Sequence, residues 1–181
     1  AATDFTNTNS NFTDVTFVIV DGSLEISKRN VTLTSADDEK VYDKTALTNG
    51  AVTETGDGFI AGEGASYTVT GSQTVVGSSE NAFTYTLNEG TKAENYNITT
   101  APGKLTVTPY TSAITVTITE HSGEAKYNGQ AHDVTGYDVS SSNTLYTTDD
   151  FSFSGDATIS GTDAGSYPMN LAATDFTNTN S

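Results

Sequence analysis

Residues 114–120 read ITVTITE. In an extended chain successive side chains point to opposite faces, so Ile114, Val116 and Ile118 share one face and Thr115, Thr117 and Thr119 the other. That alternation predicts a strand with one buried and one wet side. SYTVTG (66–71), AFTYTL (82–87) and KLTVT (104–108) repeat it. Between these runs lie clusters of Gly, Asn, Asp and Ser, including Asn49-Gly50 and Asn128-Gly129, pairs that favour tight turns. No window of helical length carries a 3.6-residue period. The pattern predicts an all-β chain, either sandwich-like or a mostly-β grasp-like variant.

Composition agrees. Of 181 residues 34 are Thr, a β-branched type suited to a pleated, half-buried surface. The net charge is −16, from 7 Lys plus Arg against 23 Asp plus Glu. Nucleic acids and anionic membranes are bound through Lys and Arg, so neither is an expected partner. Cys is absent, which removes disulfides and thiolate metal sites. No apolar run approaches the roughly 20 residues of a spanning helix, so membrane insertion is not expected, and any export signal or anchor is expected outside this stretch.

The decapeptide AATDFTNTNS occupies 1–10 and again 172–181, a period of 171 residues. A weaker repeat lies within that period. Val41-Tyr42-Asp43-Lys44 matches Lys126-Tyr127-Asn128-Gly129, and YTVTG at 67–71 matches FSFSG at 151–155. VGSSENAFTYTL, ending at Leu87, matches GTDAGSYPMNL, ending at Leu171; AENYNIT at 93–99 matches the stretch through Asn11 and Phe12; PGKLTV matches DGSLEI at 21–26. The expected organisation is a complete module B at residues 30–110 and a split module A. Its front is 113–181 and its last strands lie in 1–29, with PYTSA at 109–113 as a short linker in an extended rod. The run VTFVIVDGSLEI at 15–26 is too apolar to stay in water. Phe17, Ile19, Leu24 and Ile26 are therefore assigned to strands that complete module A, within the chain or in a neighbouring copy. The second arrangement would give an open head-to-tail polymer.

KVYDKTALTNG (40–50) and the stretch 56–99 resemble the YDG and MBG-type tandem repeats of large Firmicutes surface proteins, and YNGQAHDVTGYDV (127–139) with FSGDATISGTDAGSYPMNLAATDFTNTN (153–180) resembles their alternating partner repeat. The resemblance covers nearly the whole chain. It implies an extracellular, cell-wall-linked adhesin or stalk of many copies, and it supplies no ligand. Lys44 departs from it, since many such copies have Gly after Tyr-Asp; the departure is expected to alter a turn and not the fold.

Individual residues point the same way. GTDAGSY at 161–167 has the Asp-x-Gly-x-Tyr form of a tyrosine corner, giving Asp163, Gly165 and Tyr167 a structural role. His121 and His132, with Asp133 nearby, come with no Gly-x-Ser-x-Gly elbow and no His-Glu-x-x-His, so they read as solvated loop residues and the chain as a non-enzyme. Asp37, Asp38, Asp149 and Asp150 offer oxygens of the kind calcium takes, but the spaced Asp-x-Asp-x-Asp-Gly loop is missing; no cofactor is expected and calcium stands as the alternative. Lys40, Lys44 and Lys126 sit near strands, where an isopeptide crosslink to Asn would need them buried. Tyr110, Tyr137 and Tyr146 offer rings that could stack on sugars, so the repeats themselves could bind host glycan or mucin by avidity.

Overall fold

The computed structural model describes residues 2–179; Ala1, Asn180 and Ser181, the outermost positions of the repeated decapeptide, lie outside them. The chain is all-β. Its strands are β1 (Arg29–Ser35), β2 (Asp38–Val41), β3 (Val52–Gly56), β4 (Ala65–Val69), β5 (Gly77–Asn81), β6 (Phe83–Leu87) and β7 (Tyr96–Ala101), then β8 (Gly103–Thr108), β9 (Val116–Glu120), β10 (His132–Thr135), β11 (Tyr137–Ser141), β12 (Phe151–Phe153), β13 (Thr158–Gly161) and β14 (Phe176–Asn178). They form small sheets of two or three strands, and the only helical elements among the described residues are three-residue 3-10 turns. Every run predicted from alternation is a strand, although β9 begins at Val116 and leaves Ile114 outside it.

One compact unit comprises Ala1–Asp37, Asn49–Gly71 and Asn81–Gly103. In it β1 is central, antiparallel to β3 and parallel to β7. The alternation of RNVTLTS turns Val31, Leu33 and Ser35 inward, and all three are fully buried. Val31 and Leu33 pack with Tyr96 of β7, and Phe59, Tyr67, Phe83 and Ile98 close around them. Two phenols in this unit donate to carboxylates at 2.5 Å, Tyr67 to Glu54 and Tyr96 to Glu63. Burial first, and then Glu54, pushes the Tyr67 hydroxyl up; Glu63 first, and then burial, does the same to Tyr96.

The same unit buries a polar node. Ser35 Oγ donates to the Asn81 carbonyl at 2.6 Å and accepts the Gly103 N–H at 2.9 Å. Asn81 Nδ2 donates to the carbonyls of Ala36 and Asn49, both at 2.9 Å. These bonds satisfy turn carbonyls that sheet pairing leaves over. Asn81 Oδ1 is buried without a hydrogen-bond partner and rests against Gly71, where a Cβ would overlap it and stand 2.5 Å from Asn81 Cα.

The other unit comprises Asp38–Thr48, Ser72–Glu80 and Lys104–Ser181. Its sheet β2-β8-β5 has β8 in the middle, parallel to β2. Leu105 and Val107 on β8 are fully buried, against Leu47 and Tyr42. Further along the chain lie three two-stranded ladders, β9–β11, β10–β13 and β12–β14. An aromatic cluster accompanies them: the rings of Tyr137, Phe153 and Phe176 are 4.9 to 5.4 Å apart, and Phe151 meets Phe176 edge-on at 5.8 Å.

The ladders repeat in register. β1 pairs Val31 with Gly56 and Ser35 with Val52; β9 pairs Val116 with Ser141 and Glu120 with Tyr137, each number raised by 85. The turn between them repeats too. Asp43 Oδ1 accepts the Thr45 N–H and Asn128 Oδ1 the Gln130 N–H, both at 2.9 Å. The following residue is left-handed in each case, Lys44 at φ 65° and Gly129 at φ 76°. Lys44 thus stands in a conformation that glycine adopts without cost.

One sequence match shifts. Val69 pairs with Phe83 and Phe153 with Phe176, so Phe176 takes the place of Phe83. The match that ended Leu87 at Leu171 is therefore displaced by a short insertion, which carries the 3-10 turn Ala173–Asp175. Residues 5–28 hold no strand among the described residues. Within them Val20 is 88%, Leu24 87% and Ile26 84% exposed, while Phe17 keeps a ring contact with Phe5 at 5.9 Å.

Candidate functional site

The repeated register points to a cleft. At β8 the sheet β2-β8-β5 is full: Leu105 and Val107 fill the space beside Tyr42 and Leu47. Raised by 85, Tyr42 becomes Tyr127, Leu47 becomes His132, and β2 becomes residues 123–126. His132 pairs with Gly161 as Leu47 pairs with Gln73, and Gly165-Ser166 then follows as Gly77-Ser78 of β5 does. No strand lies between these walls among the described residues. A cleft of about 680 Å³ stands there instead, lined by residues 120–127, 132–134 and 159–169. Val134, Ile159 and Met169 give it apolar surface, and Tyr127 is 70% exposed beside it.

One rim is fixed by Glu120, whose Oε1 accepts the Leu171 N–H at 2.6 Å. Tyr167 fixes another: its hydroxyl donates to the Asp163 carbonyl at 3.1 Å, and its ring covers Gly161 so closely that a Cβ there would overlap it. Gly165 passes beneath the same ring, with room for a Cβ at 3.6 Å.

Among the described residues neither histidine is hydrogen-bonded to a hydroxyl. His121 Nδ1 meets the Thr135 carbonyl at 2.8 Å and Nε2 the Asp138 carboxylate at 3.3 Å. The Thr135 carbonyl chiefly, then Asp138, raises the imidazole above its ordinary range. His132 opens strand β10 and does not lie in a loop as its sequence suggests; its Nε2 meets Asn128 Oδ1 at 3.1 Å.

The carboxylates are used locally. Asp150 accepts the Thr147 N–H at 2.7 Å and pairs with Lys44 at 3.2 Å, and Thr147 first, among its causes, holds its carboxyl low. Asp38 accepts the Glu39 N–H at 2.8 Å. Among the described residues no group of three or more His, Asp or Glu is gathered as a metal site would need, and Asp37, Asp38, Asp149 and Asp150 stand in two separate pairs. Lys40 binds Asp43 Oδ1 and both Thr45 oxygens at 2.6 Å, which, with Thr45, draws the Asp43 carboxyl down to about 2.

A second groove of about 790 Å³ is lined by Tyr42, Val75, Val76, Tyr110, Leu145 and Tyr146 among others. Tyr146 stacks on Phe151 at 6.4 Å and its hydroxyl reaches Asn178 Oδ1 at 3.1 Å. Tyr137 is engaged within the aromatic cluster, so of the three tyrosines considered for sugar stacking only Tyr110 and Tyr146 face this groove. Sequence reading missed the cleft and the Asn81 node. The first was written in two offsets, 85 from Leu47 to His132 and 88 from Gln73 to Gly161, and the second carries no local signal because its partners are far away in sequence. No family model, curated protein or solved structure matches the chain.

Proposed function

We propose that this chain is a non-catalytic structural repeat of an extracellular stalk or fibre on a bacterial cell wall. The observation that carries the reading is the recurrence of one ladder and one left-handed turn at a fixed offset of 85 residues, in a chain whose decapeptide also recurs after 171. Repetition of a small β unit lengthens a protein without adding chemistry, and neighbouring copies are then its first partners. The charge of −16 keeps such units soluble and mutually repelling. The resemblance of 40–50, 56–99 and 127–139 to YDG and MBG-type surface repeats supports the same assignment. Calcium and isopeptide crosslinks are not needed by this reading. Antibody labelling of intact producing cells, compared with permeabilised ones, tests it: surface label that protease removes is expected, and label found only after permeabilisation refutes it.

A second reading rests on the groove holding Tyr42, Tyr110 and Tyr146 together. Aromatic rings beside apolar side chains suit the faces of sugars, and weak single sites gain strength by number. A multivalent display of the chain on a glycan array should retain mucin-type glycans and lose them in Tyr110→Ala. Equal retention by the variant would refute it.

A further inference from the structure

We infer that residues 15–26 of one copy are donor strands for the open cleft and the bare edge of β9 in a second copy. The full arrangement within residues 29–108 is the template. There β1 has two partners, and Val31 and Leu33 are sealed beneath them. β9 repeats β1 in sequence position and in its pairing to β11, yet among the described residues it has that one partner, and Val116 and Ile118 stay half-buried. β8 fills its sheet with Leu105 and Val107, whereas the equivalent place is the cleft walled by 123–126 and 163–169.

The strands that would fill both places are written in the chain. Asp21-Gly22-Ser23-Leu24-Glu25-Ile26 matches Pro102-Gly103-Lys104-Leu105-Thr106-Val107, which puts Leu24 and Ile26 at the positions of Leu105 and Val107. Read back from Leu24 without a gap, Val15, Phe17 and Ile19 fall at Tyr96, Ile98 and Thr100 of β7, a register that replaces the match of AENYNIT to the stretch through Asn11 and Phe12. The parallel β1–β7 register then fixes the partners: Val116 with Phe17, Thr117 with Val18, Ile118 with Ile19. Leu24 and Ile26, more than four-fifths exposed, are apolar side chains with a defined destination, a largely polar cleft into which Val134, Ile159 and Met169 bring apolar surface. The occupant is a second copy of this chain. Because donor and acceptor are different residues, the contact is heterologous and head-to-tail, and where its rotation does not close into a ring the product is an open filament.

The inference stands apart from the stalk reading, which concerns location and would survive a monomer. Its test uses the absence of Cys. Thr32 and Thr99 face each other across β1–β7 with hydroxyls 3.0 Å apart, and their equivalents are Thr117 and Val18. Thr117→Cys and Val18→Cys forms of the 181-residue chain, tagged to differ in mass and mixed under mild oxidant, should give a mixed disulfide dimer. Thr117→Cys with Asp14→Cys, four residues out of register, should give far less. Equal crosslinking by the two pairs, or none, overturns the inference. By light scattering the mass of the unmodified chain should rise with concentration and fall to the monomer in Leu24→Asp/Ile26→Asp. Those side chains are exposed in the single chain, so the variant keeps its fold. A monomer at every concentration also overturns it.

Discussion

Leu105 and Leu24 occupy matching sequence positions in opposite surroundings, and truncating each to Ala separates sequence from environment. Leu105 is fully buried on a strand held on both sides, where the backbone has little freedom to collapse into a cavity. Its loss removes the transfer free energy of the side chain and leaves a void, which places the cost at about 3 to 5 kcal/mol, the upper part of the range for buried Leu→Ala. Leu24 is 87% exposed, so in a dilute single chain its truncation costs within about 0.5 kcal/mol. Urea titration followed by far-UV circular dichroism and tyrosine fluorescence reads both, since the chain has 9 Tyr and no Trp. With a slope of about 2 kcal/mol per molar urea, a 4 kcal/mol loss lowers the midpoint by about 2 M. A midpoint for Leu105→Ala within about 0.5 M of the parent, or equal losses for both variants in dilute solution, would refute the assignment of β8 as a core strand. Raising the concentration adds a second reading: Leu24→Ala should become costly only where copies associate.

At Lys44, φ 65° strains any side chain, so Lys44→Gly should exceed Lys44→Ala in stability by about 1 kcal/mol; both lose the pair with Asp150, and the reverse order in urea midpoints would refute the strain. Gly71→Ala should destabilise by about 1 to 3 kcal/mol, because a Cβ there meets the buried Asn81; an unchanged midpoint would mean the node is loose. His121 has a raised folded value, so its contribution is complete below about 6.5 and is lost as pH rises through that higher value. His121→Gln should flatten this part of the midpoint-versus-pH curve, and an identical curve would refute it.

Local pattern made the strands legible, and pairing made the rest hard. ITVTITE, SYTVTG, AFTYTL and KLTVT each alternate cleanly, and each lies in a ladder, because alternation depends only on neighbours in sequence. VTFVIVDGSLEI is more apolar and yet holds no strand among the described residues, since a strand also requires a partner edge. The offset of 85 between 42–44 and 127–129 was visible, and it carries the cleft; what the letters did not reveal was that Phe176, and not a residue near Leu171, answers Phe83. That answer depends on Ser154 donating to the Asp175 carbonyl as Thr70 and Gly71 donate to that of Ala82, a non-local bond with no signature in either stretch. The buried Asn81 was equally hidden, because its partners Ala36 and Asn49 are 45 and 32 residues away.

The direction of β7 beside β1 has a mechanical consequence. The two run parallel over six paired residues, from Arg29 with Tyr96 to Thr34 with Ala101. A pull toward the chain start through Arg29 and toward the chain end through Gly103 loads the strands at opposite ends. Such a load shears the ladder, so all its rungs must yield together, whereas antiparallel neighbours pulled from one end unzip one rung at a time. Resistance to tension is set by the barrier to that concerted rupture and not by the overall folding free energy.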